Sequence, residues 1–103
     1  MIFYNVWFSF KANADEPAEL DKVKAFLGSL AASSKIHGYR LLTNSGNPSK
    51  SRMPPYQVIV EFVDDTQFGL PFAEVSQTGI RSGLHGVMIE NVEAFVVEVF
   101  RDI

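Results

Sequence analysis

The chain opens with apolar residues on both parities of a two-residue alternation. From position 2 to position 11 it reads Ile-Phe-Tyr-Asn-Val-Trp-Phe-Ser-Phe-Lys. Side chains alternate across a strand, so Tyr4, Val6, Phe8 and Phe10 share one face, while Phe3, Asn5, Trp7 and Ser9 share the other. A sheet covered on one side only alternates apolar and polar positions. Phe3 and Trp7 on the second face therefore predict cover there too.

The period then lengthens. Residues 12–16 form a turn with Asn13 and Asp15 as candidate N-caps, and Pro17 is tolerated in a first helical turn. Over residues 16–33, Leu20, Val23, Leu27 and Leu30 recur at helical spacing with Phe26 beside them, while Glu19, Asp21, Lys22 and Lys24 fall largely elsewhere. Gly28 weakens this helix by about 1 kcal/mol relative to Ala, and Ser33, Ser34 and Lys35 mark its end. Residues 36–44 predict a second strand, with His37, Tyr39, Leu41 and Thr43 opposed to Arg40, Leu42 and Asn44. The Gly, Asn, Pro and Ser density of residues 45–55 marks a loop or extended hairpin connection.

Residues 56–63 predict a third strand, with Tyr56, Val58, Val60 and Phe62 opposed to Gln57, Ile59, Glu61 and Val63. Asp64 and Gln67 resemble a capping box, and Phe68, Phe72 and Val75 follow at helical spacing. A helix is therefore expected to start near Asp64; Pro71 interrupts the pattern, so the alternative is a short turn followed by a fresh helix from Leu70, and Gly79 would close the segment. Leu84, Val87, Met88 and Asn91 give residues 80–92 a short amphipathic pattern of one or two helical turns. Residues 94–101 predict a last strand, with Phe95, Val97 and Val99 opposed to Val96, Glu98 and Phe100.

This order predicts an α+β, ferredoxin-like βαββαβ sandwich: a four-stranded antiparallel sheet, first and third strands central, helices on one face. The uncovered face would carry Phe3, Asn5, Trp7, Leu42, Ile59, Val96 and Phe100, a patch of the kind that marks an interface or a ligand groove. A second copy is the simplest cover. Two such sheets face to face would make a barrel-like homodimer with an internal cavity.

Composition narrows the classes. At 103 residues the chain is expected to be a single domain over 1–103. Nine Phe, three Tyr and one Trp supply a core of rigid side chains. A formal net charge of -3 argues against nonspecific nucleic-acid binding. The absence of Cys excludes disulfides and thiolate chemistry. No apolar run reaches the roughly 20 residues of a membrane span, and there is no signal-peptide pattern, so a cytoplasmic, non-membrane protein is the expectation.

With these elements in place the layout resembles the dimeric α+β barrel superfamily, which includes cofactor-free monooxygenases, chlorite-dismutase-like haem proteins and stress-responsive barrels. The strings Phe-Val-Asp-Asp-Thr-Gln-Phe-Gly-Leu-Pro-Phe-Ala-Glu-Val (62–75) and Gly-Leu-His-Gly-Val-Met-Ile-Glu-Asn-Val (83–92) also resemble those of an uncharacterised family of small bacterial proteins. That resemblance implies no activity and no cofactor. Asn5 and Trp7 are similar to the Asn and Trp lining the pocket of some cofactor-free monooxygenases.

The candidate chemistry gathers on the predicted open face: Asn5, Trp7, Arg40, Glu61 and Glu98. In a partly closed cavity Glu61 or Glu98 can act as a base, Arg40 can hold an anionic or enolate oxygen, and Asn5 can orient a carbonyl beside Trp7. The competing account pairs Arg40 with a glutamate across strands or across the dimer, with Trp7 filling the interface. His37 and His85 match no metal-ligand spacing, although either could in principle serve a haem. Lys50, Arg52 and Arg40 are a candidate anion site or solvated loop charge. The third strand lacks the basic aromatic string of an RNA-recognition module, and no phosphate-loop, nucleophile-elbow or dinucleotide motif occurs. Three functions follow: a homodimeric barrel binding a small apolar or aromatic ligand, a cofactor-free monooxygenase or related enzyme, or an amino-acid-binding regulatory domain of the ACT type.

Overall fold

In the computed structural model the first strand is the axis of the sheet. The structure describes residues 1–45, 53–69 and 92–103. Its elements are β1 (Ile2–Phe10), α1 (Glu16–Ala32), β2 (Gly38–Thr43), β3 (Tyr56–Phe62) and β4 (Val92–Arg101). The sheet has the spatial order β2-β3-β1-β4 with every neighbouring pair antiparallel. This is the ferredoxin-like arrangement expected from the element order, with β1 and β3 central.

Alternation along β1 sends Ile2, Tyr4, Val6, Phe8 and Phe10 into the core, where they meet Val58, Val60 and Phe62 of β3 and Val23, Leu27 and Leu30 of α1. Burying each such side chain contributes about 1.5–3 kcal/mol. The aromatic members pack edge to face or stacked: Phe8 lies 5.3 Å from Phe10 and 5.6 Å from Tyr56, and Phe62 lies 5.2 Å from Phe68, centroid to centroid.

Of the two candidate N-caps, Asp15 serves α1, accepting from the Ala18 amide at 3.3 Å. Its C-terminus closes with the amide of Lys35 donating to Leu30 and that of Ser34 to Ala31, at 2.9 and 3.1 Å. These two bonds form a Schellman motif, and Ser34 occupies its left-handed position at φ 59°. A second helix starts over residues 65–69. Asp64 Oδ1 accepts from the Gln67 amide at 2.9 Å, and Gln67 Oε1 accepts from the Val63 amide at 2.6 Å. The capping box is thus displaced by one residue, since its return bond reaches Val63 rather than Asp64. Gln67 Nε2 also donates to the Ser34 carbonyl at 3.0 Å, tying the two helix ends together.

Strand limits differ modestly from the pattern. Ile36 is buried and His37 exposed, but both precede β2. The His37 amide reaches the Glu61 carbonyl at 2.7 Å, and the ladder proper begins at Gly38. Lys11, Ser33 and Val63 each fall just past the element assigned to them, and Asn44 lies beyond β2 although its amide still meets the Pro55 carbonyl at 2.7 Å. β4 begins two residues early, at Val92, where a register shift between Ser9 and Phe10 carries the pairing past Ala94. The expectations for Leu70 to Gly79 and for Leu84 to Asn91, and the placement of Lys50, Arg52 and His85, fall outside the described residues.

Candidate functional site

The sheet face away from α1 is ordered in rows by the pairing register. One row runs Gly38, Glu61, Phe3, Phe100; the next Arg40, Ile59, Asn5, Glu98; the third Leu42, Gln57, Trp7, Val96. All five residues singled out for chemistry, Asn5, Trp7, Arg40, Glu61 and Glu98, therefore share this face. So does the apolar set around them. Leu42, Val96 and Phe100 are 42, 39 and 52% exposed, and Phe3, Trp7 and Ile59 are half-buried. On β4 the opposite face is exposed as well, at Phe95, Val97 and Val99.

Four polar groups on the face, Asn5, Gln57, Arg40 and Glu61, are already partnered. Asn5, a buried polar residue at 6% exposure, donates from Nδ2 to the Phe3 carbonyl and accepts at Oδ1 from Gln57 Nε2, both at 3.1 Å. A buried amide lacking such partners would cost several kcal/mol, on the order of 2–7. Arg40 Nε lies 3.7 Å from Glu61 Oε1, a diagonal cross-strand ion pair. Gly38 lies opposite Glu61, and a Cβ there would stand 3.4 Å from Glu61 Oε2, at the edge of ordinary contact. Arg40 remains largely solvated, with 71% of its side chain exposed. Glu98 stands opposite Asn5 on the outer strand, exposed and with no ion pair among the described residues.

Beside Trp7 the face dips into a cleft of about 300 Å³. It is lined by Trp7, Leu42, Thr43, Asn44, Tyr56 and Gln57 of the strands and their ends, and by Met53, Pro54 and Pro55 of the β2–β3 connection. Such a volume is at the lower end of small-molecule sites. Two prolines and a methionine supply apolar lining with little backbone freedom. The sequence marked this stretch as a connection, but nothing in it signalled that the chain folds back beside Trp7. Gln57 was placed on the right face by alternation, yet its role depends on a diagonal contact that only the register supplies.

Arg40 and Glu61 thus come together, as do Asn5 and Trp7 around Gln57, whereas Glu98 is separated from Glu61 by β1. His37 sits exposed before β2, with its amide bonded to the Glu61 carbonyl. Among the described residues no group of three or more His, Asp or Glu is placed to hold a metal ion, and no helix is long and apolar enough to cross a membrane.

The model of a family of unknown function, DUF6614, matches residues 1–103, and the chain belongs to that family. No curated protein sequence matches it. Among solved structures, a dimeric ferredoxin-like protein of unknown function from Jannaschia sp. CCS1 matches with a TM-score of 0.68 and 14% identity, over 98% of both chains. A second dimeric ferredoxin-like protein of unknown function, from Thermobifida fusca YX, matches with a TM-score of 0.65 and 16% identity, over 96% of this chain and 88% of that one. A hydroxynitrile lyase from Passiflora edulis matches with a TM-score of 0.66 and 16% identity, over 96% of this chain and 90% of that one. At such identities these likenesses establish the ferredoxin-like fold and carry no chemistry.

Proposed function

We propose that this member of the family is a single-domain protein acting as a homodimer, its open sheet faces packed together, that binds a small apolar or aromatic ligand in the cleft beside Trp7. The observation that carries this reading is the cleft itself: Trp7, Leu42, Met53, Pro54 and Pro55 offer apolar surface and Thr43, Asn44, Tyr56 and Gln57 polar groups, on a face where Leu42, Val96 and Phe100 are left exposed by the described residues. Apolar side chains beside placed polar groups are a usual make-up of a small-molecule site. Dimeric relatives of the same fold support the assembly. Absence of a long apolar helix among the described residues is consistent with a cytoplasmic location.

The reading assigns no catalytic step. Glu61 is held by Arg40, and Asn5 is held by Gln57 and the Phe3 carbonyl, so both would have to break existing contacts to serve a substrate. Trp7 is the sole tryptophan, so intrinsic fluorescence reports on the cleft directly. Titration with phenols, quinols and aromatic aldehydes is expected to quench it saturably for at least one class. Leu42→Arg, which places a long charged side chain at the cleft, should abolish the effect. Linear, non-saturating quenching by every compound, unchanged in Leu42→Arg, would count against a binding cleft.

A further inference from the structure

We infer that the two protomers pack with their two-fold axis running along the strands, and that ion pairs between Arg40 of one protomer and Glu98 of the partner subunit select this orientation. The inference rests on the homodimer proposed above and adds its symmetry operator and polar contacts. Register places Arg40 and Glu98 at opposite ends of one row, on edge strands β2 and β4, with Ile59 and Asn5 between them. The open face therefore carries a basic group at one edge and an acidic group at the other. Both are exposed.

Two sheets packed face to face lie about 10 Å apart, a gap that an arginine and a glutamate can bridge from opposite sides. Rotation about an axis along the strands exchanges left and right edges, so β2 of each protomer lies over β4 of its partner. Arg40 then faces the partner's Glu98, and symmetry repeats the pair at the other edge. The same operator lays Leu42 over the partner's Val96, covering two exposed apolar side chains. Rotation about an axis across the strands instead keeps β2 over β2 and β4 over β4. With that axis through the row it sets arginine against arginine and glutamate against glutamate, and with the axis elsewhere it brings neither charge over the other; like charges in a closing interface select against a docking mode.

The internal pair with Glu61 does not compete with this arrangement. That contact uses Arg40 Nε, and the remaining guanidinium donors stay available on a side chain that is 71% exposed. Arg40 would therefore bridge Glu61 of its own chain and Glu98 of the partner subunit.

Sedimentation equilibrium of wild type, Glu98→Arg and the charge-swapped Arg40→Glu/Glu98→Arg variant, the last also carrying Glu61→Gln so that no like charge faces position 40 within the chain, tests the operator. Glu98→Arg is expected to weaken dimerisation at least about tenfold, counting two pairs per dimer. The charge swap should recover most of that loss, and added salt should weaken the wild-type dimer. Because the chain has no cysteine, a second test is clean. Arg40→Cys protomers mixed with Glu98→Cys protomers should be joined by a bis-maleimide spanning about 10 Å, whereas Arg40→Cys protomers alone should not. Efficient linking of Arg40→Cys alone, or an unchanged dissociation constant in Glu98→Arg, overturns the orientation while leaving the homodimer standing. A wild-type protein that stays monomeric overturns the homodimer and this inference with it.

Discussion

Gln57 donates its side-chain amide to Asn5 Oδ1 across the β1–β3 ladder at 3.1 Å, and Asn5 is the one polar residue among the buried described positions. On a face otherwise dominated by Phe3, Trp7, Ile59 and Phe100, this bond keeps an amide in place without leaving an unsatisfied group. Gln57→Leu strands the Asn5 oxygen and should destabilise the protein by about 1–3 kcal/mol. The double variant Asn5→Leu/Gln57→Leu should lose less than the sum of the single variants, because both ends of the bond go together. Urea denaturation at one fixed protein concentration measures both.

Ser34 closes α1 at φ 59°, a conformation that costs a side-chain-bearing residue roughly 1–2 kcal/mol. Ser34→Gly removes that strain but loosens the unfolded chain, leaving an expected net gain of about 0.5–1 kcal/mol. The bond from Gln67 survives, because it ends on the Ser34 backbone carbonyl. A rise of several degrees, roughly 2–8 °C, in the melting midpoint checks it.

Gly28 lies inside α1, where a Cβ would meet only the Tyr39 hydroxyl, at an ordinary contact distance of 3.8 Å. Gly28→Ala should therefore stabilise by up to about 1 kcal/mol through helix propensity alone. A lowered midpoint in the same melting experiment would show that the Cβ does not fit against Tyr39.

Asp102 bonds to the Met1 α-amino group and Asp65 to Arg101, and these hydrogen bonds, helped by opposite charge, hold both carboxyls below the usual carboxylate range. A depressed carboxyl pKa contributes stability that is present above the unfolded-state value and is lost as pH falls through the folded-state value. Both pairs are exposed, so the contribution is small. The difference in melting midpoint between wild type and Asp102→Asn should be measurable near neutrality and close as the pH is lowered below about 4. A difference independent of pH would contradict the assignment.

The strand faces were legible because alternation alone decides them. Tyr4, Phe8, Val58, Val60 and Phe62 all point into the core as their parity requires, and Asn5, Trp7, Arg40, Glu61 and Glu98 share the other side. The helix-start chemistry at Asp15 and Asp64–Gln67 was legible for a similar reason, since capping is local. Contacts that depend on register were not. Arg40 can reach Glu61 only because β2 and β3 pair Arg40 with Ile59, and no local pattern encodes that offset. The cleft beside Trp7 likewise depends on where the β2–β3 connection comes to rest, which a Pro- and Gly-rich composition leaves open. Strand ends shifted for the same cause: ladder pairing, not β propensity, excludes Ile36 and His37 and admits Val92.

The most direct test of the central claim, that the open face joins two copies, is the mass in solution of wild type and Phe100→Asp by analytical ultracentrifugation. Phe100 is 52% exposed in the single chain, so the substitution should leave the protomer folded, as circular dichroism can verify. The account expects wild type to sediment as a dimer and Phe100→Asp as a folded monomer over the same micromolar range. A monomeric wild type, or a Phe100→Asp protein that dimerises as tightly as wild type, would contradict it.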